Sequence, residues 1–399
     1  MASATYDVGH ACAIVSCCPL PAYERLVLAG GEGRLTFLKS TEHEGDDDEA
    51  PPVLKRLDMK CELSSTKIDA VAWGHDPVAG ELRLASAGGG MLSVHFLNQS
   101  LNCEENAPRA DFALPPSTVA AGPLRSACFL ERAPDRLALT GDTCCAIVLQ
   151  LAAGHGPVIE RTVQLRSPGV AVRTHPREPQ QLMIAQEDGA VHFVDLRAKG
   201  SKPSLSRGLA PGDAAAGGLR DADWSPFDVN LIGGVCGGRW VVWDLRRAGL
   251  SPPPQSGDSQ PSGALAFRWA PGSRRFATAG TAGGLHVHTL QQTVLHAHAP
   301  SAPASTFGDT SFDLTLSHEL PTRVASLSWL HTASAMLVGA ADSKVCVWTL
   351  GEARLWQTHV PASPEQLHSG HDAYACLLAA KTKARKWSMG EAFGSKTMT

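Results

Sequence analysis

Short apolar stretches separated by Gly, Asp and Pro recur along most of the chain. One of them, RWVVWD at 239–244, places two tryptophans around two valines and leads into a basic turn. The same plan, a small or polar turn followed by an alternating apolar strand, is seen in GRLTFLKS (33–40), GMLSVHFLN (90–98), CCAIVLQL (144–151), GAVHFVDLR (189–197), GGLHVHTLQ (283–291) and SKVCVWTLG (343–351). With Trp243 as the marker position, the seven equivalents are separated by 57, 53, 46, 49, 45 and 60 residues. A recurrence of this length indicates a repeat architecture.

Each repeat carries two more strands upstream of its marker. Directly before the marker strand lies a strand of small residues, as in IGGVCGG at 232–238. Further upstream lies an apolar strand that often ends in Trp and a Pro turn, as in DADWSPFD at 221–228. A nearly continuous apolar strand needs cover on both faces, and sheets stacked radially around an axis supply it. Small residues in the middle strand let neighbouring sheets approach closely. The pattern predicts an all-β fold, a seven-bladed WD-repeat β-propeller over residues 1–350.

Closure of the ring requires that the two ends of the repeat region meet. An open ring would leave unpaired strand edges. The segment TYDVGHA at 5–11 precedes the first repeat and is not needed to build it. We therefore expect this N-terminal segment to be the outer strand of the last blade.

Several segments fall outside the repeat pattern. Residues 41–52 form an acidic loop, and 200–218 and 250–263 are low in complexity, which predicts flexible loops. The C-terminal extension, 351–399, contains a predicted helix at 372–387, and its apolar residues near one face include Leu377, Leu378 and Trp387. Three interpretations stay open for it: a helix packed on the propeller or a partly ordered tail, a helix that docks a partner, and a basic cluster for nuclear import or a membrane surface.

Composition narrows the classes of function. The net charge of −4 gives no basic field that would attract nucleic acid directly, and no apolar run is long enough for membrane insertion. Gly (38) and Pro (27) favour turns over long helices. The eleven cysteines lie mostly in apolar strand-like runs or as neighbours, which is typical of reduced, buried thiols and not of a disulfide framework.

Candidate catalytic or ligand-binding chemistry is sparse. The glycine runs lead into strands and not into helices, which argues against a phosphate loop, and no GxSxG motif occurs. Two H-x-H pairs, 286/288 and 296/298, could hold zinc, but no Cys or carboxylate accompanies them at fixed spacing. An enzyme or a small-ligand propeller would need polar side chains that converge on the axis, and the pattern shows none. We therefore predict no enzymatic activity, no cofactor, no metal and no small-molecule substrate.

The end of the fifth repeat allows a second functional interpretation. The sequence WDLR at 243–246 resembles the motif by which some propellers dock on the adaptor of a cullin-type ubiquitin ligase, and Arg246 would be its key residue. VDLR at 194–197 is a poorer copy. The alternative is a repeat ending followed by a basic surface turn.

Taken in order, five segments resemble one known family. They are TKIDAVAW (66–73), SPGVAV to HFVDL (167–196), DADWSPFDVNLIGGVCGGRWVVWDLRR (221–247), ALAFRWAPGSRRFATAG (264–280) and SLSWLHTASAMLVGAADSKVCVW (326–348). The chain resembles the thirty-seven-kDa nucleoporin family, WD-repeat subunits of the Y-shaped outer-ring complex of the nuclear pore. The resemblance covers roughly residues 5–350 and is firmest from residue 167 onwards.

This resemblance implies a non-enzymatic scaffold protein in the nucleus, located at the nuclear envelope in the nuclear pore complex. Its implied partners are a large α-helical outer-ring nucleoporin of one hundred and sixty kDa and other subunits of the Y-shaped complex. The implied process is nucleocytoplasmic transport of protein and mRNA. No motif marks the family's interface residues, so none is carried over to this sequence.

Overall fold

The computed structural model describes fifteen ranges of the chain: 2–20, 23–41, 53–57, 67–76, 80–97, 109–114, 122–131, 133–151, 156–198, 205–208, 217–246, 255–291, 311–320, 322–330 and 336–350. Within these ranges the regular structure consists of β-strands, and no α-helix occurs. The helix predicted at 372–387 and the acidic residues 42–52 lie outside the described residues, so both stay predictions. The boundary predicted between the propeller and residues 351–399 also stays a prediction.

In the part of the chain that the structure describes, twenty-eight strands form seven four-stranded antiparallel sheets, or blades. The strands of blades 1 to 3 are, in order, β2 (Ile14–Cys17), β3 (Leu26–Gly31), β4 (Arg34–Thr41), β5 (Val53–Arg56); β6 (Ala70–Asp76), β7 (Glu81–Gly88), β8 (Met91–Leu97), β9 (Arg109–Ala113); and β10 (Leu124–Leu130), β11 (Ala133–Gly141), β12 (Cys145–Gln150), β13 (Val158–Gln164).

Blades 4 to 7 follow the same plan, except that the last blade takes its fourth strand from the start of the chain. The strands of these blades are β14 (Gly169–Thr174), β15 (Gln181–Gln186), β16 (Val191–Asp195), β17 (Leu205–Arg207); β18 (Leu219–Trp224), β19 (Leu231–Cys236), β20 (Arg239–Asp244), β21 (Gln255–Asp258); β22 (Ala264–Trp269), β23 (Arg275–Gly280), β24 (Gly284–Gln291), β25 (Ser311–Glu319); and β26 (Val324–Trp329), β27 (Met336–Ala341), β28 (Lys344–Thr349), β1 (Ala2–Asp7).

The first strand of each blade contacts the first strands of both neighbouring blades, so these seven strands form a ring that we call the hub. The later strands of each blade lie progressively further out. The seven-bladed propeller predicted from the repeats is thereby confirmed. The marker residues of the repeats all lie in the third strand and pair with the second strand of their own blade; they are Leu38, His95, Val148, Val194, Trp243, His288 and Trp348.

The N-terminal strand closes the ring, as the sequence predicts. Strand β1 pairs antiparallel with β28 from Ala2↔Thr349 to Asp7↔Lys344. The chain then crosses to the first blade, and the amide of Cys12 donates a hydrogen bond of 2.6 Å to the carbonyl of Asp342. Both ends of the repeat region are thus joined in the last blade, and β1 covers the edge that β28 would otherwise expose.

Small residues in the second strands bring neighbouring blades together. Every residue of β19 (LIGGVC) is buried. A Cβ atom added to Gly233 would lie 2.2 Å from a ring carbon of Phe267, which belongs to the next blade. The side chain of Phe267 is itself fully buried. Close approach at this junction therefore depends on the absence of a side chain at Gly233.

The low-complexity segments are not loops throughout, which corrects part of the sequence interpretation. The segment 200–218 contains strand β17, and 250–263 contains strand β21. Strand β25 lies in the long stretch between the sixth and seventh repeats. An outermost strand packs against its own blade on one edge only, so it needs few apolar residues. Hydrophobic pattern alone therefore does not reveal it.

Candidate interaction surfaces and the hub

Charged side chains converge in the hub. This corrects the sequence analysis, in which the repeat pattern shows no polar side chains converging on the axis. Asp221 accepts a hydrogen bond from Arg268 Nη1, and its Oδ1 lies 3.5 Å from Arg173 Nη2. Asp223 Oδ1 lies 3.4 Å from Arg173 Nε. These four residues, which we call the hub charge cluster, come from the first strands of blades 4, 5 and 6. Two positive and two negative side chains balance its formal charge.

The hub charge cluster also bonds the backbone of the next blade. Asp221 Oδ2 accepts the amide of Phe267 at 3.0 Å, and Asp223 Oδ2 accepts the amide of Trp269 at 3.0 Å. On the other side, Ser126 of blade 3 accepts a bond of 2.7 Å from Arg173. Neighbouring blades are separate sheets and share no ladder of backbone hydrogen bonds. Side chains of their first strands link them here instead. The cluster joins four consecutive blades.

Burial and ion pairing act in opposite directions on the pKa values of this cluster. Burial raises the pKa of Asp223, while Arg173, Arg268 and the amide of Trp269 act in the opposite direction. For Arg268, burial opposes the charged form, but the carboxylates of Asp221 and Asp223 outweigh it and the pKa is raised. The ion pairs therefore hold the arginine charged in a poorly solvated position.

A second set of ion pairs joins blades 3, 4 and 5 nearer the surface. Arg125 pairs with Asp142 of its own blade and lies 3.5 Å from Glu187 of the next blade. Glu187 also accepts a bond of 3.0 Å from Arg220 of blade 5. Side-chain exposure in this set ranges from 30% to 44%, so solvent screens these pairs more than those of the hub charge cluster.

Arg246, the residue that the ubiquitin-ligase interpretation singles out, lies in the turn after β20. Its Nε and Nη2 donate bonds of 2.9 Å to the carboxylate of Asp244, and Nη2 lies 3.2 Å from Asp228. Its side chain is 39% exposed. Asp244 and Asp228 raise the pKa of Arg246 further, and burial opposes them only in part.

The poorer copy of this motif, at 194–197, has the same geometry. Asp195 accepts bonds from both the backbone amide and the guanidinium of Arg197, at 2.9 to 3.3 Å. Two repeats therefore share the Asp-x-Arg turn. The ion pair within the turn accounts for the arginine after the marker strand, so no binding partner is needed to explain this residue. The other residues predicted to bind a partner, Leu377, Leu378 and Trp387, lie outside the described residues.

The His286/His288 pair belongs to the packing of the sixth blade. His288 is 3% exposed. Its ring stacks on that of Phe276 with 4.9 Å between the ring centroids, and its centroid lies 5.6 Å from the ring centroid of Trp240 in the fifth blade. Burial lowers the pKa of His288 to about 4, and it also lowers the pKa of His286. Both rings therefore stay neutral near neutral pH. No group of three or more potential metal ligands occurs among the residues that the structure describes.

The eight cysteines in the described ranges are free thiols. Six of them are buried, and burial raises the pKa of Cys17 to about 12 and that of Cys12 to about 11. A thiol with a raised pKa is a poor nucleophile and a poor metal ligand. Within the described ranges, no helix has the length and apolar character needed to cross a membrane.

Comparison with known proteins agrees with the resemblance read from the repeats. The chain is 34% identical to human nucleoporin Nup37 and 30% identical to the mouse protein, each over 185 residues. These matches cover 46% of this chain and 49% of each relative, so the chain spans about half the length of the curated relatives it matches. The Drosophila melanogaster Nup37 is 30% identical over 86 residues, which is 22% of this chain and 25% of that protein. No family model matches the chain.

Proposed function

We propose that this protein is a non-enzymatic scaffold subunit of the outer ring of the nuclear pore complex. In this proposal the propeller docks on a large α-helical nucleoporin of the Y-shaped complex and supports nucleocytoplasmic transport of protein and mRNA at the nuclear envelope. The observation that carries the proposal is the identity of 30–34% to nucleoporin Nup37 of two mammals over 185 residues.

The chemistry of the hub supports a scaffold over an enzyme. The carboxylates of the hub charge cluster are bonded to arginines and to backbone amides, so they are already engaged as hydrogen-bond acceptors. A catalytic carboxylate must instead reach the reacting group of a substrate. The cluster joins blades, and the turns and outer strands are left as contact surfaces for other proteins.

The test is affinity purification of the tagged full-length chain from its own cells, followed by mass spectrometry and by fluorescence microscopy. We expect helical outer-ring nucleoporins among the recovered proteins and a fluorescent rim at the nuclear envelope. Diffuse fluorescence together with the recovery of no nucleoporin would contradict the proposal.

Two variants separate the interpretations of the candidate contact residues. Arg246→Ala removes the guanidinium of the WDLR turn, and we expect it to leave nucleoporin recovery unchanged; loss of a ligase adaptor from the purified sample would instead favour the ubiquitin-ligase alternative. A triple replacement of Leu377, Leu378 and Trp387 by Ala removes the predicted apolar stripe of the C-terminal extension. Reduced nucleoporin recovery with this variant alone would assign the docking role to the extension.

A further inference from the structure

The turn between β14 and β15, residues 175–181, is organised around a histidine ring. His175 Nδ1 accepts the backbone amides of Arg177 at 3.0 Å and of Glu178 at 2.9 Å. The amide of His175 donates to the carbonyl of Gln181 at 3.0 Å, and the amide of Gln181 donates to the carbonyl of Glu178 at 2.9 Å. The ring therefore satisfies two amides that the turn itself leaves without a backbone acceptor.

The next blade builds the same turn with a residue that does not titrate. There the amide of Ser225 donates to the carbonyl of Leu231, and the amide of Leu231 donates to the carbonyl of Asp228, both at 2.9 Å. Ser225 Oγ accepts the amide of Asp228 at 3.2 Å. Ser225 is thus the equivalent of His175, so the chain itself shows that a hydroxyl can fill this position.

The ring of His175 also forms part of the junction between blades 4 and 5. It lies edge-on to Trp224 with 4.5 Å between ring centroids, and His175 is only 8% exposed. Trp224 Nε1 donates a bond of 2.7 Å to the carbonyl of Val229, in the equivalent turn of blade 5. The same two rings therefore hold the turns of both blades.

Only the neutral ring fits these contacts. Because both donors are backbone amides, Nδ1 must be the unprotonated nitrogen and the proton must be on Nε2. A protonated imidazole has two donors and no acceptor. Protonation of Nδ1 would place its hydrogen against two amide hydrogens and abolish both bonds.

We propose that His175 is an acid-sensitive clamp that holds turn 175–181 and its contact with blade 5 in the neutral form and releases both on protonation. Burial lowers the pKa of His175; Glu178 acts to raise it and Arg177 to lower it. Trp224, the ring packed on it from blade 5, carries no charge. Release is therefore expected below the ordinary histidine pKa of 6.5.

The test is amide hydrogen exchange of the full-length protein, titrated from about pH 7.5 to about pH 5, with each rate divided by its intrinsic rate at that pH. The loss of two hydrogen bonds predicts that protection of the Arg177 and Glu178 amides falls about tenfold as the pH is lowered. The matched variant is His175→Ser, copied from the fifth blade, and its protection at this turn is expected to be independent of pH.

Two results of the exchange experiment would overturn the clamp. One is protection in the unaltered protein that stays constant across the titration, and the other is the same loss in His175→Ser. If the serine variant does not fold, His175→Asn supplies a carbonyl acceptor for the same comparison. Independently, the nitrogen chemical shifts of the His175 ring at neutral pH must show Nδ1 without a proton; a proton on Nδ1 would refute the proposal directly.

Discussion

The hub charge cluster makes a sharp prediction for Asp221→Asn. This change keeps the size of the side chain and an oxygen that can accept the amide of Phe267. It removes the negative charge that faces Arg268 and Arg173 from blade 5. The variant would leave two arginines facing the single carboxylate of Asp223. The variant therefore removes the charge and one acceptor, the Oδ1 that accepts the amide of Ala222 at 3.0 Å, while it keeps the size of the side chain.

The expected magnitude follows from the burial of the cluster. The Asp221 side chain is 11% exposed, and its two arginine partners are 19% and 26% exposed. Two opposite charges about 4 Å apart attract each other by about 4 kcal/mol at the effective dielectric typical of such sites. Desolvation offsets part of that attraction while the pair is intact. Removal of one partner, however, leaves an uncompensated buried charge, which costs about 3–5 kcal/mol. We expect the free energy of unfolding to fall by this amount.

The assay is urea unfolding at neutral pH, followed by tryptophan fluorescence. The matched control is Asp142→Asn, which removes a carboxylate that is 37% exposed and pairs with Arg125. An exposed pair contributes about 0–1 kcal/mol, so the control is expected to lose little stability. Equal losses for the two variants would refute the reasoning. A double variant, Asp221→Asn with Arg268→Gln, restores the charge balance, and it should lose less stability than the sum of the two single changes.

Three further predictions rest on other parts of the ring. Gly233→Ala places a Cβ atom 2.2 Å from a Phe267 ring carbon and should destabilise the protein by about 1–3 kcal/mol, whereas Gly208→Ala, with no atom within 4 Å, should change urea unfolding little. Deletion of residues 1–7 removes strand β1 and should lower the melting temperature and expose the edge of β28 to aggregation, measured by calorimetry and light scattering; an unchanged melting temperature would contradict closure by this strand. His288 has a folded pKa of about 4, below the unfolded 6.5, so the unfolded state binds more protons between these values and stability is lost as pH falls. His288→Leu should therefore reduce the loss of unfolding free energy between about pH 7.5 and pH 5 by about 2 kcal/mol, and an unchanged pH dependence would show that this ring is not held neutral.

The repeat pattern revealed the three inner strands of each blade because their cores obey one local rule. Marker positions as different as Trp243 and His288 occupy the same register against the second strand. The same hydrophobic environment recurs on both faces of every blade. Most residues at these positions are therefore apolar, and this makes the repeat visible in the sequence. The repeat pattern does not predict the outermost strands β17 and β21, because each is short and pairs with only one other strand.

The hub charge cluster could not be read from the sequence for a different reason. Asp221 lies 48 residues after Arg173 and 47 residues before Arg268, one repeat away in each direction. No short spacing motif joins them, and each residue alone is an ordinary polar position in an apolar strand. Only the closed ring brings first strands of successive blades side by side. A comparison of charges at the same position in neighbouring repeats is the signal that could have found the cluster.

The bonds within the hub charge cluster bear on function because a ligand that bound there would have to displace them at a cost in free energy. A polar ligand that entered the hub would have to break bonds between charged groups, each worth about 1.5–3 kcal/mol, and also replace the bonds that Asp221 and Asp223 accept from the backbone of blade 6. Breaking them would loosen the junction that the same bonds stabilise. A ligand site on these residues would therefore compete with the integrity of the ring. Contacts made by turns and outer strands do not break these bonds. A propeller with such a hub therefore suits a scaffold whose partners bind its outer surfaces.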